Sequence, residues 1–214
     1  MKSGLHGYYA IVDVRPEQLG DLAGIAARGA KLLAAGPCCL QLRAKGAEAA
    51  PMRDAALRLR DLARVAGVPF CVNDRLDVAL AVEADVVHLG QDDLPLEDAR
   101  RILERAGQAM RIGISTHTLA QARAAAAGGA DHLGFGPVFP TITKAEPDPV
   151  VGLESLAEIC AAVSLPVVAI GGISLDNVAA VARAGAASAA VISAVDRAPD
   201  PTAAGRAVAS AFPR

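Results

Sequence analysis

Short runs of apolar, often β-branched residues recur along the chain, each followed by a polar or glycine-rich turn and then by an alanine-rich stretch. The apolar runs, at 8–13, 37–43, 69–73, 85–89, 110–115, 131–135, 166–170 and 187–193, carry polar residues almost only at their ends. Strands covered on both faces read this way, as near-continuous apolar runs. The stretches between and after them predict helices around 17–35, 47–66, 76–83, 96–106, 118–128, 153–163, 175–184 and 201–211. Start signals support several: Asp176 and Asn177, Thr116 and Thr118, and Pro95 at a first turn. Glycines at 36, 67, 107, 128, 129 and 185 fall where helices should stop. Ala84-Asp85-Val86-Val87-His88-Leu89-Gly90 weakly repeats in Ala130-Asp131-His132-Leu133-Gly134, consistent with one recurring unit. Eight strand–helix units predict an α/β chain forming one domain over residues 1–214, a closed (β/α)8 TIM barrel. The competitor is an open doubly wound sheet; eight strands and the lack of an early glycine-rich dinucleotide fingerprint count against it.

Composition narrows the class. Hydrophobic residues are 53% of the chain, but 48 alanines supply much of that, and the remainder matches an ordinary globular core. A net charge of −2 argues against a disordered chain and against a nucleic-acid binder, which needs basic excess to meet phosphates. No apolar run approaches the ~18 residues that span a bilayer, and no charged-then-apolar leader opens the chain. A soluble cytoplasmic protein is expected. Cys38, Cys39, Cys71 and Cys160 show no zinc or redox spacing and read as reduced structural thiols.

The residues capable of chemistry cluster at strand ends, the barrel face where βα loops build active sites. The second strand ends Gln41-Leu42-Arg43-Ala44-Lys45, and alternation puts Gln41 and Arg43 on one face, Leu40 and Leu42 on the other. Arg43 and Lys45 could be a solvated strand end, yet a glutamine and an arginine turned into a barrel mouth are costly to bury unpartnered. Asn73-Asp74 after strand three could cap the next helix, and Gly90-Gln91-Asp92-Asp93 after strand four could be a turn and helix start. Together they offer Asp74 and Asp93 from adjacent strand ends, a pair that suits magnesium, whose other positions are filled by phosphates and water. His88 reads as a hydrogen-bonded structural histidine, and His6, His117 and His132 as surface or packing residues. Ser115, ending strand five, could cap a helix or bind a ligand.

After strand six the chain runs to Gly152 before a helix resumes, a length typical of a lid or binding loop. Thr141, Thr143 and Lys144 there supply two hydroxyls and a charge suited to phosphate oxygens. Gly171-Gly172-Ile173 and Val191-Ile192-Ser193 end strands seven and eight, where barrels recurrently bind a phosphate through backbone N–H groups at a helix start. The mouth thus combines a neutral, glycine-rich anion site with a cationic, metal-capable one. That second site suits a diphosphate, and the chemistry that fits is its displacement by a second, phosphorylated substrate. No serine or cysteine has a convincing histidine base, so covalent nucleophilic catalysis is not indicated.

Gln41-Leu42-Arg43-Ala44-Lys45, Asn73-Asp74-Arg75, Val87-His88-Leu89-Gly90-Gln91-Asp92-Asp93, Gly113-Ile114-Ser115-Thr116-His117, the run from Gly136 to Lys144 and Ala169-Ile170-Gly171-Gly172-Ile173 resemble, in order, the motifs of the thiamine-phosphate synthase family. The resemblance extends from near Tyr8 to about Ser193. It implies a (β/α)8 barrel that joins hydroxymethylpyrimidine diphosphate to a thiazole phosphate with Mg²⁺, by departure of diphosphate, formation of a pyrimidinylmethyl cation and attack by the thiazole nitrogen. It implies that Gln41, Leu42, Arg43, Ala44, Lys45, Asn73, Ser115 and Lys144 hold the pyrimidine diphosphate, with Arg43, Lys45, Ser115 and Lys144 serving catalysis. Asp74 and Asp93 would ligate Mg²⁺, and Thr141, Ile142, Thr143, Gly172, Ile192 and Ser193 would hold the thiazole phosphate. The partners implied are small phosphorylated molecules, without nucleic acid or membrane; association into a homo-oligomer stays open.

The opening strand through Asp13 matches the family loosely and offers no expected ligand contact, and 145–151 look variable. Two rival readings remain. A thiazole tautomerase-like isomerase would need the phosphate site of strands seven and eight but not Asp74, Asp93, Arg43 or Lys45. A barrel that only binds a phosphorylated metabolite would release no diphosphate.

Overall fold

The structure, a computed structural model, describes residues 4–141 and 149–212. Eight parallel strands, β1 (Gly7–Asp13), β2 (Cys39–Arg43), β3 (Phe70–Asn73), β4 (Val86–Leu89), β5 (Arg111–Thr116), β6 (His132–Phe135), β7 (Val167–Ile170) and β8 (Ser188–Ala190), close in chain order, with β8 paired to β1. Around them lie α1 (Leu22–Leu33), α2 (Ala49–Ala66), α3 (Leu76–Ala81), α4 (Leu96–Arg105), α5 (Leu119–Ala127), α6 (Gly152–Ala162), α7 (Val178–Arg183), α8 (Ser193–Asp196) and α9 (Pro201–Ser210). The (β/α)8 barrel expected from the apolar runs is therefore the fold.

Most boundaries shift by a residue or two and α7 starts three residues late; two further differences have a local reason. The stretch 17–35 is broken: a 3₁₀ turn, Pro16–Gln18, comes first, and α1 starts only after Asp21, whose Oδ1 accepts the Gly24 N–H at 2.9 Å. A carboxylate in that position satisfies an orphan donor of the first turn and sets the start. The eighth strand is shorter than its apolar run, because Ile192 takes up the cap position of α8. Ser193 thus opens a helix instead of closing a strand.

Strand alternation divides the apolar residues into two cores. Outward-facing Tyr8, Val12, Leu40, Leu42, Phe70, Val72 and Leu133 are buried against the helical layer. Inward-facing Tyr9, Ile11, Cys39, Cys71, Val86, Val168 and Ala190, joined by Leu5, fill the lower barrel. The register Ile11↔Gln41 and Asp13↔Arg43 carries the same parity up to the mouth.

Above this plug the interior is polar. Tyr9 donates through its hydroxyl to Gln41 Oε1 at 2.8 Å, and Gln41 Nε2 donates to Asn73 Oδ1 at 2.9 Å. His88 and His132 lie with ring centroids 5.4 Å apart, Nδ1 of the first 3.4 Å from Nε2 of the second, and His88 Nε2 is 2.9 Å from Ser115 Oγ. A Cβ on Gly113 would sit 2.2 Å from His132 and 2.5 Å from His88, so the two imidazoles fit only because β5 carries a glycine between them. Burial pushes His88 down to about 4; His132 is pushed well below the usual histidine range by burial, helped by His88 and Arg111.

Two predictions follow from this packing. Between pH about 6.5 and about 4 the unfolded chain takes up protons at His88 and His132 that the folded chain refuses, so these groups lower stability as the pH falls through that window and contribute nothing above it. Urea unfolding across the window should show that slope shrinking in His132→Gln; an identical slope would be the contrary result. Gly113→Ala should cost about 1–3 kcal/mol through overpacking, and an unchanged unfolding midpoint would show that the rings yield freely.

Candidate active site

A cavity of about 480 Å³ opens at the C-terminal ends of the strands and reaches down to Tyr9 and His132. Its walls bring together nearly every described residue singled out from the sequence: Gln41, Arg43, Lys45, Asn73, Asp74, Asp93, Ser115, Thr141, Gly172, Ile192 and Ser193. Leu42 and Ala44 lie in the outer core instead, as alternation along β2 requires. Their side chains cannot meet a ligand in the cavity. Ile142, Thr143 and Lys144 lie outside the described residues.

The two carboxylates face each other. Asp74 adopts a left-handed φ of 64°, a conformation an aspartate tolerates better than most residues, and its N–H donates to the His88 carbonyl at 2.8 Å. It does not cap α3, which begins after Arg75 with no side-chain cap. Asp93 is folded back by its own turn: Oδ2 accepts the Gly90 N–H at 2.6 Å. Burial raises the Asp74 carboxyl to about 6, with the hydrogen bond and charge of Asp93 adding to the effect and Lys45 and Arg43 opposing it. Two acids set beside each other in this way leave a place for a cation. Among the described residues no group of three or more His, Cys, Asp or Glu is arranged to hold a metal. A pair of carboxylates, with room for water and phosphate oxygens, fits Mg²⁺ and not an all-protein cage.

Beside the acids stands a cationic wall. Arg43 Nη1 donates to Asp13 Oδ1 at 2.7 Å. Arg28, from α1, donates to the Asp13 carbonyl at 2.7 Å and pairs with the Asp196 carboxylate at the end of α8. A continuous series Arg43–Asp13–Arg28–Asp196 therefore connects the end of β2 to the helix that Ser193 opens. Asp13 and Tyr9, on the opening strand that promised no ligand contact, both hold site residues in place. Their part was readable from parity, since Tyr9, Ile11 and Asp13 face inward with Gln41 and Arg43; nothing in the alanine-rich α1 singled out Arg28. Gln91, also unassigned from the sequence, donates through Nε2 to the Ser115 carbonyl at 2.6 Å.

On the far wall Gly171 and Gly172 have φ of 95° and 63°. A Cβ at the first would lie 2.4 Å from Pro137 Cβ, and at the second 2.4 Å from the Pro140 carbonyl oxygen. These glycines let the segment after β6 lie directly on that after β7, where Val138 N–H donates to the Ile170 carbonyl at 2.9 Å and Phe139 N–H to the Gly171 carbonyl at 3.0 Å. Asn177 clamps the same turn, accepting from Ser174 N–H at 2.8 Å and donating to the Gly172 carbonyl at 3.0 Å, instead of capping α7. The glycine pair thus has a packing role that the phosphate reading alone did not include.

The chain from residue 8 to 195 matches the family model described as thiamine monophosphate synthase. It is 52% identical over 177 residues to the thiamine-phosphate synthase of Anaeromyxobacter dehalogenans, covering 83% of this chain and 78% of that one. The Roseiflexus sp. thiamine-phosphate synthase is 47% identical over 203 residues, covering 94% and 82%. Among solved structures, thiamine phosphate pyrophosphorylase from Pyrococcus furiosus superposes with a TM-score of 0.83 at 38% identity, covering 98% of this chain and 96% of that one. With a barrel, a cavity and a residue pattern that agree with these likenesses, the chain belongs to the thiamine-phosphate synthase family, the transferases of thiamine biosynthesis.

Proposed function

We propose that this chain condenses hydroxymethylpyrimidine diphosphate with thiazole phosphate, giving thiamine phosphate and diphosphate. The observation that carries the reading is one cavity with two unlike walls: Asp74 and Asp93 beside Arg43 and Lys45 on one side, Gly172, Ile192 and Ser193 on the other. A metal-independent isomerase or a simple binding barrel would leave the acid pair without use. No helix among the described residues is long and apolar enough to cross a membrane, and the setting proposed is the cytoplasm.

In this reaction the bond between the pyrimidine methylene carbon and the diphosphate oxygen breaks, and its electron pair leaves with the diphosphate. The lone pair of the thiazole nitrogen then forms the new C–N bond. Mg²⁺, held by Asp74 and Asp93, would when bound neutralise charge on the leaving group. Arg43, immobilised by Asp13, and Lys45 add fixed positive charge on the same side, and Lys144 is assigned there too. Gln41 and Asn73, oriented from below by Tyr9, hold the pyrimidine ring with Ser115. Thr141, with Ile142 and Thr143 beyond it, and the Gly172, Ile192 and Ser193 wall take the thiazole phosphate, which presents the second ring across the cavity. No proton has to be removed for the C–N bond to form, which agrees with two interior histidines that stay neutral near pH 7.

Asp74→Asn and Asp93→Asn should each lower turnover by about a hundredfold or more while thiazole-phosphate affinity stays within about twofold. Diphosphate release and calorimetry measure the two quantities, and full magnesium-dependent activity in both variants would refute the assignment. A second expectation concerns stability. The Asp74 carboxyl titrates near 6 when folded, above its ordinary 3.8, so its contribution is favourable at low pH and is lost as the pH rises through about 6. At pH 7.5 without divalent ions, Asp74→Asn should therefore melt at a higher temperature than the unaltered chain, and Mg²⁺ should stabilise the unaltered chain but not the variant. Equal magnesium-induced shifts in both would refute it.

A further inference from the structure

Below Ser115 lies a row of polar groups that the condensation chemistry does not use. We infer that His132 is a positioning residue: through His88 it fixes the Ser115 hydroxyl as a hydrogen-bond donor aimed into the cavity. The inference rests on the synthase reading only for what the hydroxyl then meets.

The argument is one of satisfying buried groups. His132 is 1% exposed, and its Nδ1 is a buried nitrogen with no hydrogen-bond partner among the described residues. Its Nε2 faces His88 Nδ1 at 3.4 Å. A neutral imidazole carries one N–H and one bare nitrogen. Placing the proton on Nδ1 would strand a donor in the interior, whereas placing it on Nε2 strands only a lone pair and gives the proton an acceptor. An orphaned N–H is the rarer and costlier arrangement. His132 is therefore the Nε2–H tautomer and donates to His88 Nδ1.

The choice propagates. His88 Nδ1 is an acceptor, so the His88 proton is on Nε2, 2.9 Å from Ser115 Oγ, and donates to that oxygen. Ser115 Oγ has no other hydrogen-bond partner among the described residues, while its backbone carbonyl is taken by Gln91. With His88 occupying one lone pair, the hydroxyl hydrogen is directed away from the imidazole and towards the cavity that Ser115 lines. The opposite polarity would make Ser115 a donor to His88 and leave it only a lone pair for a ligand. Burial keeps both imidazoles neutral near pH 7, and Arg111 and Asp93 are the charged groups that act on them. A fixed donor at this point suits a bare ring nitrogen or a diphosphate oxygen and rejects a group that is itself only a donor.

The test begins with the tautomers. Long-range ¹H–¹⁵N correlation spectra of the full chain labelled at histidine should show His132 and His88 both protonated on Nε2, and either ring protonated on Nδ1 would overturn the inference. In His132→Phe the His88 signals should move toward a mixture of tautomers and turnover should fall about tenfold. His132→Gln, which keeps an N–H donor, should recover most of that loss. In a Ser115→Ala background the His132→Phe loss should vanish; additive losses would show that His132 acts elsewhere. If His132→Phe fails to fold, the spectrum of the unaltered chain and the behaviour of His132→Gln still decide the matter. Failure of the unaltered chain to form thiamine phosphate would overturn the synthase reading alone, because the tautomers are read without substrate.

Discussion

A closed ring of eight strands has a narrow interior, and each strand must send every second side chain into it. That volume limit governs much of what the site can contain. In this chain the lower barrel is packed with Tyr9, Ile11 and two cysteines, and the upper barrel admits two imidazole rings because Gly113 stands where any larger residue would collide with both. The glycine is therefore as much part of the site as the histidines it accommodates. The seated His88 meets Ser115, while Tyr9 holds Gln41 and Gln41 in turn holds Asn73, so each of these three polar side chains has a partner within the barrel. A polar floor held in this way reaches the ligand already oriented, so little ordering remains to be done when a substrate arrives.

The rim obeys a different logic. Asp74 is partly buried and lies beside Asp93, and burial together with that neighbouring carboxylate raises its carboxyl. Such an arrangement weakens the chain on its own and would be relieved by a cation between the carboxylates, an exchange of stability for function. Arg43 and Lys45 temper the repulsion without abolishing it, and Asp13 prevents Arg43 from collapsing onto the acids by holding its guanidinium from the side.

Much of the fold could be read directly because the strand signal was unusually clean: doubly covered strands leave apolar runs that end abruptly at polar residues. The places where reading failed were those where a single residue at a helix cap decides a boundary. Asp21 delays α1, and Ile192 turns the end of the eighth run into a helix. At the site, residues at strand ends announced themselves because polar groups are rare there. Tyr9, Asp13 and His132 did not, although parity along β1 and β6 places them inward, because their importance lies in what they bond to on neighbouring strands. Arg28 had no local signal at all. Its role depends on the spatial meeting of α1, β1 and α8, which no spacing within the chain encodes. Leu42 and Ala44 show the converse: they sit within a motif, yet the same alternation removes their side chains from the cavity.

The series of ion pairs and hydrogen bonds from Arg43 through Asp13 and Arg28 to Asp196 has a metric consequence. Arg28 grips the backbone of β1 with one nitrogen and the tail of α8 with others, so the first helix braces the mouth like a strut. The span from the Arg43 wall to the Ser193 turn is thereby set by a member beneath the loops and not by the loops alone. If the proposed condensation takes place here, a cavity gauged in this manner would judge two substrates by their combined length, and a mismatch in either one would be felt as misfit in the other.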